Sequence, residues 1–224
     1  MTRAITHVLF DLDGTLADTA PDLGRALNSV LMEQGRAPLP LAAIRPVVSL
    51  GGAAMVQLAF GIVPGTTEFA ELRERFLAHY GAGVARESAL FPGIPLLLEN
   101  LERAGYRWGI VTNKSGAFTA PLLDALGVAK RAACVVSGDT TPHPKPHPEP
   151  LLHACRLMDC EPARAVYVGD AKRDVEAARG AGTATIVAAY GYIPSDENIA
   201  DWGADALIHS PGELLPWLDG TATT

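Results

Sequence analysis

The stretch Ile5-Thr6-His7-Val8-Leu9-Phe10-Asp11-Leu12-Asp13-Gly14-Thr15 begins as an apolar run and ends on two acids, a glycine and a hydroxyl. A short apolar run bounded by turn formers reads as a buried strand. Along an extended chain alternate side chains share a face, so Asp11 and Asp13 can be presented to one ligand if the chain stays extended past Phe10. Two carboxylates side by side repel unless a cation lies between them or one keeps its proton, which favours a metal site or an acid/base pair. The plainer reading is an acidic turn closing the strand, since Asp and Gly are common turn residues.

The same pattern recurs downstream, and the repetition weighs against accident. Arg107-Trp108-Gly109-Ile110-Val111 delivers Thr112-Asn113-Lys114 at its end, and Ala165-Val166-Tyr167-Val168-Gly169 delivers Asp170 and then Asp174. Between them Lys145 sits in the proline-bracketed stretch Pro142-His143-Pro144-Lys145-Pro146-His147-Pro148. Strand candidates at 107–112, 133–137, 165–169, 184–188 and 205–208 alternate with helix candidates near 94–104, 116–126, 148–158, 172–181 and 211–218. Such alternation implies an α/β fold, a Rossmann-like, mostly parallel sheet with helices on both faces. In open sheets of this kind ligands bind beyond the carboxyl ends of the strands, where these acids, the threonine and the lysine would converge.

In order, spacing and flanking strands these residues resemble the four motifs of the haloacid dehalogenase (HAD) superfamily: Asp11-Leu12-Asp13-Gly14-Thr15, Thr112, Lys145, and Gly169-Asp170-Ala171-Lys172-Arg173-Asp174. The resemblance covers nearly the whole chain and implies a phosphatase that needs Mg²⁺ and works through a phosphoaspartate. It implies Asp11 as nucleophile, Asp13 as general acid/base, and Thr112 and Lys145 as catalytic groups holding the phosphate, with Asn113, Gly14 and Thr15 also at the phosphate. The implied Mg²⁺ ligands are Asp11, Asp13 through its main-chain carbonyl, and Asp170, with Asp174 in support. The chemistry explains why such residue types are needed. A phosphate dianion repels an anionic nucleophile, so its charge must be neutralised by a hard cation, a lysine and hydrogen-bond donors before in-line attack. The acid/base carboxyl must then change protonation state twice per cycle.

Some positions depart from the pattern or invite other readings. Ala171 stands where many relatives carry Ser, Thr or Asp, which removes a hydrogen bond near the metal. His143 and His147 have the spacing of a helical metal pair, but the prolines around them rule out that helix, so they read as loop residues, with His147 the nearer to the phosphate. Asp18, Pro21 and Asp22 read as the start of a helix, with Asp18 capping it and Asp22 complementing its dipole.

Residues 17 to about 88 lack convincing strands and read as helices near 21–35, 41–48, 52–60 and 68–83. A helical insertion directly after the nucleophile loop resembles the family's C1 cap, which sets the expected domains: a core of 1–16 with 89–224, and a cap of 17–88. A cap excludes water from the site and selects the substrate. Its candidate contacts are Gly51 and Gly52, whose backbone can approach an anion closely, and Arg45, a fork-shaped donor for a carboxylate. Met55, Leu58, Ala59 and Phe60 read as core.

Thr112-Asn113-Lys114, Pro121-Leu122-Leu123 and the run from Lys145 to Leu152 look like phosphoglycolate phosphatases, which act on a small carboxylate-bearing phosphate ester. Gly51-Gly52-Ala53, Met55-Val56, Ala59-Phe60, Tyr190-Gly191-Tyr192-Ile193 and Trp202-Gly203-Ala204-Asp205 also look like N-acetylmuramic acid 6-phosphate phosphatases. Cap volume discriminates between them. A phosphosugar mutase shares the four motifs, and a phosphoaspartate signalling module shares the residue types without needing Asp13 or a cap.

At 224 residues and 48% hydrophobic content the chain can bury one core and a smaller accessory unit. Its net charge of -7, without a basic run, argues against nucleic acid or an anionic membrane as partner. Cys134, Cys155 and Cys160 are odd in number and lack metal-ligand spacing, which fits reduced thiols in a cytoplasm. No signal pattern precedes the first strand, no apolar run is long enough to span a membrane, and Gly220 to Thr224 read as a loose tail. No motif decides between a monomer and a homodimer.

Overall fold

The computed structural model describes residues 4–220; the last residues of the expected tail, 221–224, lie outside them. Its first half runs β1 (His7–Phe10), β2 (Ala17–Asp18), α1 (Ala20–Glu33), α2 (Leu41–Ile44), α3 (Gly52–Phe60), α4 (Thr67–Gly81) and β3 (Ala89–Leu90). The second half alternates: α5 (Ile94–Arg103), β4 (Arg107–Val111), α6 (Gly116–Ala125), β5 (Val135–Val136), α7 (Glu149–Leu157), β6 (Ala165–Gly169), α8 (Lys172–Ala181), β7 (Ala184–Ala188), β8 (Ala206–Ile208) and α9 (Leu214–Leu218).

Six strands form one sheet in the order β5-β4-β1-β6-β7-β8, and every neighbouring pair is parallel. The apolar runs are continuous because both faces of the sheet are covered. Val8, Phe10, Trp108, Ile110, Val166 and Val168 pack into one apolar cluster with α1, α5, α6 and α9. Leu9, Val111 and Tyr167 point the other way, against Leu151 and Cys155 of α7 and Ala177 and Ala178 of α8. The register sets the site. Phe10 lies level with Ile110 and Val168, so β1, β4 and β6 end almost flush and hand over to Asp11, Thr112 and Asp170 at one edge.

Between β2 and β3 the described chain is helical. Helix α1 carries Pro21 in its first turn, where a missing N–H costs nothing, and gives way to Gly35 at a φ of 68°. Helix α4 is capped by the Thr66 hydroxyl, which accepts from the Phe69 N–H at 3.1 Å. Helices α1, α3 and α4 pack on one another through Leu27, Leu31, Val56, Leu72 and Phe76.

Several elements differ from the sequence expectation, among them the helix expected near 211–218, which opens as a 3₁₀ turn Pro211–Glu213 before α9. The helix expected over 41–48 is only α2, followed by a 3₁₀ segment Arg45–Leu50 with Pro46 in its first turn, whose missing N–H and ring disfavour continuing the α-helix. The all-helical segment from residue 17 starts with β2, which pairs antiparallel with β3 where the chain leaves for the helices and returns; two residues are too few for a readable period. The strand expected at 133–137 shortens to β5, an edge strand bonded among the described residues only to β4. Among the described residues no helix is long and apolar enough to cross a membrane.

Candidate active site

At the flush strand ends, Asp11, Asp170 and Asp174 each offer a carboxylate oxygen, and these oxygens lie within 4.8 Å of one another. All three residues are buried. Asp11 follows β1 and Asp170 follows β6, while Asp174 sits in the first turn of α8, its Oδ2 accepting from the Ala171 N–H at 2.9 Å. That bond makes the side chain missing at position 171 unnecessary for anchoring Asp174. Lys145 Nζ lies 3.0 Å from Asp11 Oδ1 and 2.7 Å from Asp174 Oδ1, and donates to Tyr167 Oη at 2.6 Å and to the Val111 carbonyl at 3.1 Å. Asp170 accepts from Thr15 Oγ1 at 3.2 Å, from Ser49 Oγ at 2.7 Å and from the Tyr192 N–H at 2.9 Å.

Burial is the main reason Asp11 and Asp170 resist ionisation. It pushes the Asp11 carboxyl up against the pull of Lys145, and it lifts Asp170 to about 7 with the charges of Asp11 and Asp174 adding to it. A buried, all-oxygen cluster with excess negative charge has the donor chemistry of a hard divalent cation site, and the residues present fit one.

Asp13 points away from this cluster. Its Oδ1 accepts from Thr19 Oγ1 at 2.5 Å and pairs with Lys114 Nζ at 2.8 Å. The Lys114 ammonium in turn sits 4.7 Å from the centre of the Tyr80 ring on α4. Burial works to lower the Lys114 pKa, but Asp13 and Tyr80 outweigh it and hold the side chain charged; burial also pushes the Tyr80 hydroxyl up to about 12.

A cavity of about 260 Å³ opens between these strand ends and the helices of the insertion. Asp11, Asp13, Thr112, Asn113, Lys114 and Arg173 line the core side, and Val48, Ser49, Gly51, Gly52, Met55, Arg73, Phe76, Leu77 and Tyr80 the other.

The structure brings Asp11, Asp13, Thr112, Asn113, Gly51 and Gly52 to this cavity and gives several other expected residues partners within the protein. The Lys145 side chain is wholly buried against Asp11 and Asp174, because an ammonium out of water must be surrounded by acceptors. Asn113 uses its side chain on Lys145, accepting from its N–H at 2.9 Å and donating to its carbonyl at 2.8 Å. The Gly14 N–H donates to the Ala17 carbonyl and the Thr15 hydroxyl to Asp170. Arg45 is paired with Asp18 at 2.8 Å and stacked over Tyr192, away from the cavity lining. Asp18 does not cap α1. Tyr192 Oη accepts from the Thr19 and Ala20 N–H groups at that helix start and donates to Asp18. Asp22 is buried and accepts from the N–H groups of Glu87 and Ser88, joining the outgoing and returning chains. Burial works to raise its pKa, but those bonds and Arg25 hold the carboxyl below the usual range. His143 and His147 stack with ring centres 4.7 Å apart, outside the cavity.

Sequence reasoning gave no role to Lys114, Tyr167, Tyr192, Ser49, Arg173 or Arg73. Lys114 carried a signal, since it stands at a strand tip beside Thr112. Tyr167 lies within β6 and Arg173 between Asp170 and Asp174, while Tyr192, Ser49 and Arg73 come from a loop and from helices whose approach to the site only the folded chain reveals.

Residues 8–188 match the family described as haloacid dehalogenase-like hydrolase. The chain is 43% identical over 95% of its length to an N-acetylmuramic acid 6-phosphate phosphatase of Pseudomonas aeruginosa, covering 94% of that protein. It is 42% identical over 92% of its length to a phosphoglycolate phosphatase of Xanthomonas campestris, covering 93% of it. A crystal structure of a predicted phosphoglycolate phosphatase from Haemophilus somnus superposes with a TM-score of 0.84 at 28% identity, over 95% of this chain and 97% of that one.

Proposed function

The chain belongs to the haloacid dehalogenase-like hydrolases and is a phosphoric monoester hydrolase, and from that premise we propose that it cleaves a carboxylate-bearing phosphate ester through a phosphoaspartate on Asp11. The observation that carries the reading is the cluster of Asp11, Asp170 and Asp174 at flush strand ends, with Asp13 set apart from it at the mouth of a cavity.

An Asp11 carboxylate oxygen bonds to phosphorus while the bond from phosphorus to the ester oxygen breaks, and Asp13 protonates the departing alkoxide. Asp13 then takes a proton from the water that cleaves the acyl phosphate. The Thr112 hydroxyl donates to a phosphate oxygen. Arg173 is a further donor there; its buried Nε has no hydrogen-bond partner among the described residues. Lys145 orients Asp11 from behind and offsets its charge. Asp11 and Asp170, with the Asp13 carbonyl and with Asp174 in support, would hold Mg²⁺, which when bound neutralises the clustered carboxylates and the phosphate oxygens.

We place the core at 1–16 and 89–224 and the cap at 17–88, and the protein in a cytoplasm, which suits the free thiols of Cys134 and Cys155. The cap wall guides the choice of ester. Val48, Met55, Phe76 and Leu77 give an apolar surface that two-carbon phosphoglycolate would leave largely uncovered and that a pyranose ring fills. N-acetylmuramic acid 6-phosphate is therefore the first candidate and 2-phosphoglycolate the second. The test is phosphate release from both, from hexose phosphates and from a nucleotide monophosphate, with and without Mg²⁺. A carboxylated ester leading by about tenfold in kcat/KM supports the reading; equal turnover of all of them rejects it.

A further inference from the structure

Helix α4 presents Arg73, Phe76, Leu77 and Tyr80 to the cavity at the spacing of one helical face. Tyr80 meets Lys114, beside Asp13, and so marks the end where the phosphoryl group reacts. Arg73 lies seven residues earlier, about 10 Å along the helix axis. The other cations lining the cavity belong to the core: Lys114 is held by Asp13, and Arg173 adjoins Asp174 and acts on the charge of Asp11. Among the described residues no hydrogen bond or ion pair occupies Arg73, and the residue is exposed.

We infer that Arg73 is the specificity-determining residue for a second anionic group of the substrate, a carboxylate held at a distance from the phosphate. The inference rests on the phosphatase reading and narrows it. A carboxylate one methylene from the phosphate oxygen, as in 2-phosphoglycolate, stays near Lys114. A carboxylate carried across a sugar ring from the phosphate extends along the apolar face of Phe76 and Leu77 toward Arg73, where a planar fork can grip it. The substrate class is then a sugar-acid phosphate whose two anions sit at opposite ends of the ring.

The test compares kcat/KM for N-acetylmuramic acid 6-phosphate with that for N-acetylglucosamine 6-phosphate, the same sugar without the carboxylate-bearing lactyl ether. In Arg73→Gln the ratio should fall about 10- to 100-fold, the range of a charge-assisted hydrogen bond, through KM rather than kcat. Arg73→Lys should restore part of it. An unchanged ratio, or an equal loss on both esters, overturns the role of Arg73 while leaving the phosphatase reading in place. A wild-type protein that releases phosphate from neither ester overturns both.

Discussion

At the strand tips almost every charged side chain has a partner inside the protein, whereas the facing cap wall is apolar and carries an arginine with none among the described residues. Lys145 alone contacts Asp11, Asp174, Tyr167 and the Val111 carbonyl, and Asp170 accepts three hydrogen bonds. Across the cavity, Phe76 and Leu77 lead to an exposed Arg73. The difference separates two tasks. Groups that must meet developing charge within a fraction of an ångström are fixed by partners before substrate arrives. Groups that choose among substrates keep their bonding capacity for the ligand. Ser49 crosses the divide, donating from the insertion to Asp170 and so linking cap position to the acid cluster.

If the tips alone carry the chemistry, Asp11→Asn should lower turnover of every ester by at least about 10⁴-fold, the order seen when a covalent nucleophile is removed. Its melting temperature should not fall, since the change removes a buried charge of raised pKa. Activity within tenfold of wild type would mean that another group attacks. Lys145→Met tests the fixed side differently. It strands Asp11 and Asp174 without their cation, which should cost about 4 kcal/mol and lower the melting temperature by roughly 10 °C. A shift under about 2 °C would show that the ammonium does not hold the cluster together.

The fixed side was legible in the sequence because strand tips are. A buried parallel strand is a continuous apolar run, so the residue that ends it is placed in space by the register alone, as with Asp11, Thr112 and Asp170. Orientation was less legible. Lys145 belongs to the site, yet nothing in its proline-rich stretch says that it enters from behind Asp11, a geometry set by Asn113 bonding both its N–H and its carbonyl. The cap residues were least legible. Arg45 was the natural choice in sequence, but the 3₁₀ turn with Pro46 in its first turn lets it reach Asp18 and Tyr192. Arg73 looked like any polar helix position, because facing a cavity depends on how α4 lies against its neighbours.

The smallest expected effect, and the one that reads the acid cluster most directly, is a dependence of metal-free stability on pH. Burial lifts Asp170 from an ordinary 3.8 to about 7, so its carboxyl keeps a proton in the folded protein that it loses in the unfolded chain. A folded-state pKa above the unfolded value means that this contribution is fully present below about pH 4 and is lost as pH rises through about 7. From pH 5 to 8 the metal-free protein should therefore lose about 3 kcal/mol through this residue, or roughly 6 to 12 °C in melting temperature. Asp170→Asn removes the titration, so the wild-type profile minus that of the variant isolates it from groups such as His7, whose lowered pKa acts in the opposite direction. Mg²⁺ competes with the proton for the same oxygens and should stabilise the wild type more at pH 8 than at pH 5. A difference profile flat from pH 5 to 8, with equal stabilisation by Mg²⁺ at both ends, would mean that the cluster is relieved by internal partners alone and that the cation is held elsewhere.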